Sequence, residues 1–313
     1  MQALMRREGI AQGDILAKLL QDKRSPNTRR AYERDVNDFF QTMTGNLATP
    51  DLVEQFLSMS RPQAVAIVLD YKAMLVTKGL AEATVNRRLA ALRSLVKFAR
   101  RIGKCEWDLG DVEGETIIPY RDVSGVEPFQ IAAMFKTPDQ TTEAGKRNYA
   151  ILLLLWENAL RRGEVVSCNV KDFDREARTL TILGKGRGTQ KETITLTERA
   201  TEAIVAALNC RTLPLHHEPL FIALSNAHTG HRLSGEAISY IVQAAAKGAG
   251  IEKKMSPHRM RHSSITAALE ATNGNVAKVQ KLSRHAKVET LMAYEDRRTN
   301  QQKEVSDILS GIA

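Results

Sequence analysis

Long apolar runs are missing from this chain. The longest, Ile151 to Trp156, is far too short to cross a bilayer. Met1-Gln-Ala-Leu-Met-Arg-Arg-Glu lacks the apolar core of a signal peptide. The expected location is therefore cytoplasmic, with no membrane partner. Cysteine is scarce: Cys105, Cys168 and Cys210 are odd in number and widely spaced, which excludes a disulfide framework and a Cys-x-x-Cys metal site. They read as reduced and mostly buried. No Gly-x-x-x-x-Gly-Lys-Ser/Thr occurs, which excludes that type of nucleotide-binding loop. His216, His217, His228 and His231 match no common zinc spacing. Aromatics make up only 5%, while Ala, Leu, Arg and Glu dominate, so the fold is expected to be mainly α.

What remains is a 313-residue chain, 43% apolar and 26% charged, long enough for two domains. Its net charge of +9 and pI near 9.5 suit a polyanionic partner.

Residues 1–24 read as an extension with one weakly amphipathic segment around Ile15, Leu16, Leu19 and Leu20. Ser25-Pro26 then caps a helix bearing Tyr32, Val36, Phe39 and Phe40, Thr49-Pro50 caps another, a third spans about 62–77, and a fourth starts at Thr84. The fourth is strongly basic through Arg87, Arg88, Arg93 and Lys97. These four make an all-α domain over 25–102. From 103 to 128 the apolar period is lost, which marks a linker. The second domain, 129–301, has a helix near 129–135 and a buried helix predicted over 146–160, followed by Arg161-Arg162-Gly163-Glu164. Two alternating segments, 179–183 and 192–196, predict a β-hairpin with the tip Gly184-Lys185-Gly186, making the domain α+β. Helices over 198–208 and 237–249 follow. The tail, 302–313, puts Val305, Ile308, Leu309 and Ile312 on one helical face.

The stretch from Met255 to Arg297 carries the chemistry. Ser256 is an N-cap and Pro257 suits the first helical position, so His258 and Arg261 lie beside a helix N-terminus that favours an anion. A short helix over 276–284, His285 and a segment from Val288 to Tyr294 come next.

His258-x-x-Arg261-His262, Leu282-x-x-His285 and Glu289-Thr-Leu-Met-Ala-Tyr294 resemble the C-terminal catalytic stretch of the tyrosine recombinases, the phage-integrase family that includes the Xer and Cre enzymes. Leu160-Arg161-x-x-Glu164 is similar to the family's first arginine box, and Gly184-Lys185-Gly186 to its catalytic-lysine hairpin. The 25–102 region resembles its core-binding, DNA-clamping domain. The resemblance covers about residues 25 to 297. It implies cleavage and rejoining of double-stranded DNA at paired half-sites through a 3′-phosphotyrosyl intermediate, with no metal or other cofactor and no ATP. By it, Tyr294 is the nucleophile, and Arg161 and Arg261 hold the non-bridging oxygens. His258 assists proton transfer, Lys185 protonates the 5′-oxygen, with Lys191 as second candidate, and His285 hydrogen-bonds the phosphate. Glu164 orients the cations. Arg87, Arg88, Arg93, Lys97 and Arg284 are candidate DNA contacts, and His262 reads as structural.

The resemblance further implies a homo-oligomer, a dimer on each site and a tetramer in synapsis, nucleoid-associated, with the tail helix exchanged between protomers. No extra arm-binding N-terminal domain is apparent, which favours an Xer-like or Cre-like arrangement. Two departures stand out: Ala159 where the family usually has Gly, and Ser283-Arg284-His285 where it commonly has Leu-Gly-His. The alternatives are a type IB topoisomerase-like or hairpin-resolving enzyme, and a catalytically silent DNA-binding accessory protein.

Overall fold

The computed structural model describes residues 14–117, 125–184, 188–225, 228–285, 287–289, 291–292 and 301–312. The chain divides into two compact units, Met1–Tyr120 and Arg121–Ala313.

The first unit is built from α1 (Ile15–Asp22), α2 (Pro26–Thr44), α3 (Pro50–Ser58), α4 (Arg61–Thr77) and α5 (Glu82–Arg101). Side-chain caps start two of them where the sequence placed them: Ser25 Oγ accepts from the Thr28 N–H at 3.4 Å, and Thr49 Oγ from the Leu52 N–H at 3.2 Å. Phe39, Phe56, Tyr71, Leu89, Leu92 and Leu95 fill the core, with Phe39 edge-on to Phe40, Phe56 and Tyr71. Both boundaries read from sequence shift outward. Ile15, Leu16 and Leu19 are buried in this core, so α1 is its fifth helix rather than part of an extension. Cys105, Trp107, Leu109 and Val112 are buried there too, and Trp107 packs 5.5 Å from Phe56 and donates to the Met59 carbonyl at 2.8 Å. The stretch 105–112 therefore belongs to the helical unit, not to a linker. A few apolar residues in an irregular segment carry no periodicity to reveal this.

The basic face of α5 is partly spent inward. Arg87 pairs with Asp35, which is 1% exposed, Arg88 pairs with Asp38, and Arg93 donates to the Val112 carbonyl. Tyr71 donates to Asp38 at 2.6 Å, and burial together with that carboxylate raises its phenol well above the ordinary range. Lys97 is exposed.

The second unit comprises α6 (Pro128–Phe135), α7 (Glu143–Glu157), α8 (Arg162–Ser167), β1 (Phe173–Asp174), β2 (Thr179–Leu183), β3 (Lys191–Thr195), α9 (Glu198–Leu208), α10 (Gly235–Gly248), α11 (Pro257–Ala271), α12 (Val276–Ser283) and α13 (Gln301–Ile312). Ile151 to Leu155 of α7 are all buried, as their all-round apolarity requires. The strands form an antiparallel sheet in the order β1-β2-β3, with Leu183 opposite Lys191 at the loop end of the hairpin. The two-residue β1 was not legible from sequence. Among the described residues no helix is long and apolar enough to cross a membrane.

Candidate active site

The site begins where α7 stops. Its apolar run continues through Leu160, which predicts helix to 160, yet the helix ends at Glu157. Asn158 is the C-cap, Ala159 takes φ +45°, and the Leu160 N–H reaches back to the Leu154 carbonyl at 3.2 Å. This closure places a left-handed residue where glycine is easiest. The chain then turns so that Arg161 is the N-cap residue of α8. Glu164, only 2% exposed, accepts from the Arg161 backbone N–H at 2.8 Å and from its guanidinium at 2.8 Å. Burial by itself would raise the Glu164 carboxyl, but the Arg161 N–H and the Arg284 and Arg161 guanidiniums more than offset it, and its pKa is lowered.

α11 starts at the expected cap, with Ser256 Oγ accepting from the Arg259 N–H at 3.2 Å. Its first two turns carry His258, Arg261 and His262. Arg261 is buried, and its guanidinium donates to the carbonyls of Ala159 and Ser283, which fixes its plane. Exposed His258 and buried His262, one turn apart, bring their Nε2 atoms to 2.7 Å with the rings edge-on. One ring nitrogen must donate and the other accept, so His262 holds the orientation of His258. The i, i+4 spacing could have disclosed this role. Beneath lies a small cluster of Ala159, Ile265, Leu269, Val279 and Leu291, whose last member precedes Tyr294 by three residues.

His285 follows α12, and its Nε2 lies 3.5 Å from the Arg261 guanidinium. A guanidinium can only donate, so this contact requires the proton on Nδ1. Burial, then Arg261, Arg161, Arg284 and His258, hold its pKa down to about 4. The imidazole is thus neutral at pH 7. Because its folded value lies below the ordinary 6.5, the unfolded chain takes up this proton first. Its contribution to stability is complete above about pH 6.5 and is lost progressively as pH falls towards 4. Urea midpoints taken between pH 7 and 4.5 are expected to fall less steeply in His285→Gln than in wild type.

Arg284 does not project outward. Its side chain is 7% exposed, and it pairs with Glu164 at 3.2 Å and Glu192 at 3.4 Å. Lys191, the second lysine candidate, pairs with Asp172 at 2.5 Å at the start of β3. Lys185 and Tyr294 lie outside the described residues. The structure thus brings together Arg161, Glu164, His258, Arg261, Arg284 and His285. Glu192, facing Arg284 from β3, was missed by sequence reading, since an alternating strand does not reveal which distant charge its glutamate meets.

A family model described as "Phage integrase family" matches residues 125–301, and one described as "Phage integrase, N-terminal SAM-like domain" matches residues 16–103. The chain is 50% identical to the tyrosine recombinase slr0733 of Synechocystis sp. over 96% of this chain and 95% of that protein. It is 45% identical to the tyrosine recombinase Synpcc7942_B2651 of Synechococcus elongatus, covering 96% and 93%. A 27% identity links it to tyrosine recombinase XerC of Pelobacter propionicus over 86% and 84%. Among solved structures, the XerH site-specific recombinase bound to a palindromic difH substrate shares the fold, with TM-score 0.62, 16% identity and 95% coverage of both chains. The Tn1549 transposon integrase in complex with a circular intermediate DNA gives 0.61 at 18% identity, covering 90% of this chain and 93% of that one.

Proposed function

The chain belongs to the phage integrase family, and on that premise we propose that it is a site-specific DNA recombinase that cleaves and rejoins strands through a 3′-phosphotyrosyl intermediate. The observation that carries this reading is that the buried Arg261 guanidinium lies 3.5 Å from His285 Nε2 and donates to the Ala159 carbonyl at the turn carrying the Arg161–Glu164 pair, while His258 opens the same helix as Arg261. Such a set complements a phosphate whose negative charge grows as it becomes five-coordinate.

In this reading the Tyr294 oxygen bonds to phosphorus while the bond to the 5′-oxygen breaks, and Lys185 gives the departing oxygen a proton. A tyrosine with an ordinary pKa near 10 is about a thousandth ionised at pH 7, so the reaction needs cations and a proton path. Arg161 and Arg261 stabilise the non-bridging oxygens, while exposed His258, steadied by His262, assists removal of the phenolic proton. Neutral His285 hydrogen-bonds a phosphate oxygen without adding charge, its ring proton moving to the nitrogen that faces the phosphate once DNA draws the Arg261 guanidinium onto its own oxygens. The phosphotyrosyl bond keeps the energy of the broken one, so a 5′-hydroxyl from a second duplex can reverse it without ATP or metal. Exchange between two duplexes calls for a dimer on each site and a tetramer passing through a Holliday junction, and it places the protein on cytoplasmic DNA.

Nicked duplexes from the DNA flanking its own gene test the reading. A denaturation-resistant protein–DNA adduct is expected; tight binding without any adduct would favour the silent accessory protein. The tail supplies a further expectation. In α13, Ile308, Leu309 and Ile312 are 62%, 61% and 76% exposed. An apolar face this open suits docking in trans, with the helix exchanged between protomers. Deleting 302–313 is expected to weaken tetramer assembly at least about tenfold while sparing binding to a single half-site. Unchanged assembly in sedimentation velocity would sink that assignment.

A further inference from the structure

Arg284 is an unexpected residue for its place. It caps α12 with φ +55° and ψ +38°, a left-handed conformation that side chains rarely adopt and glycine adopts freely. Its guanidinium is also withdrawn from water, and that burial lowers its pKa. A glycine at 284 would remove both the backbone strain and the buried charge. Buried ion pairs are weak evidence for stability, because desolvation offsets much of the attraction. What the arginine supplies is geometry.

Its bonds reach each part of the site. Nη1 donates to the carbonyls of Asn158 at 3.0 Å and Leu282 at 2.7 Å. Nη2 donates to the Ala159 carbonyl at 3.2 Å and to Glu164 Oε2 at 3.2 Å. Nε faces Glu192 Oε1 at 3.4 Å. Glu164 is the carboxylate that grips Arg161, and Ala159 O is also the seat of Arg261. Glu192 stands on β3 opposite Ile182, on the hairpin whose connecting loop contains Lys185 in sequence. His285 is the next residue in the chain.

We propose that Arg284 is a positioning residue for strand cleavage, a single planar fork that locks the Arg161–Glu164 turn, the carbonyl seat of Arg261, the His285 turn and the β2–β3 hairpin into one arrangement. This rests on the recombinase reading above. A lysine cannot replace it, since one ammonium cannot address two carboxylates and three carbonyls in a fixed plane.

The test compares full-length wild type, Arg284→Gly and Arg284→Lys on the nicked duplex, measuring single-turnover adduct formation, DNA affinity and melting temperature. Both variants are expected to form adduct roughly tenfold to a hundredfold more slowly at a temperature where both are fully folded, with affinity close to wild type, as a small misplacement of reacting groups would cause; Arg284→Gly, which also sheds the left-handed strain, is expected to melt closer to wild type than Arg284→Lys. Millimolar guanidinium is expected to restore part of the rate to Arg284→Gly and none to Arg284→Lys. Wild-type rates in both folded variants would overturn the proposal. So would a rate loss that merely follows a drop in melting temperature or DNA affinity, or a loss that guanidinium leaves untouched in Arg284→Gly. An absence of adduct from wild type is a different result, and it would overturn the recombinase reading itself.

Discussion

Tyr294→Phe is expected to abolish the protein–DNA adduct, a loss of at least about 10⁴-fold in cleavage, because no other group replaces a covalent nucleophile at its position. The substitution removes one oxygen and leaves the ring, so DNA affinity and melting temperature should stay near wild type. The nicked-duplex assay separates the outcomes cleanly. Adduct from wild type alone assigns the phenolic oxygen, and the attached oligonucleotide marks the crossover position. Adduct from both proteins would mean that a different side chain attacks. The motif alone places Tyr294 in this role; Leu291, three residues earlier in the sequence, is buried in the cluster under α11.

The second large effect belongs to Arg261. Its guanidinium is held by the carbonyls of Ala159 and Ser283 and approaches His285, so its plane is set by the ends of two other elements. Arg261→Lys keeps the charge but cannot form the fork, and it leaves a buried carbonyl without its donor. Cleavage is expected to fall by roughly 10²–10³, as when one fixed donor to a developing charge is removed. Stability should drop by about 1–3 kcal/mol, read as an earlier urea midpoint. A variant that loses stability but cleaves at the wild-type rate would assign Arg261 a purely structural role.

The sequence made the helix starts legible wherever a cap stood before a proline, as at Ser25, Thr49 and Ser256, because capping is local chemistry. The site was legible as a motif, in order and in spacing, and the hairpin strands followed from alternation. The partners of the charges were not. Arg88 meets Asp38, and Arg284 meets Glu164, across long stretches of chain, and no periodicity encodes such pairings. A row of arginines on one helix therefore looked like a surface for phosphates, when three of the four basic side chains singled out are partly committed within their own unit. The end of α7 was hidden for another reason. Its apolar residues run on past the last helical turn, and a positive φ at an alanine leaves no mark in composition.

That alanine and Arg284 are joined through one carbonyl. Each holds a left-handed backbone with a side chain attached, and the arginine donates to the alanine's oxygen. A side chain in that conformation costs about 1–2 kcal/mol, so an arginine arriving at 284 before carboxylates stood at 164 and 192 would have added strain and an ill-matched charge together. Position 284 is therefore expected to be coupled energetically to both glutamates, so that substitutions at 164, 192 and 284 combine non-additively.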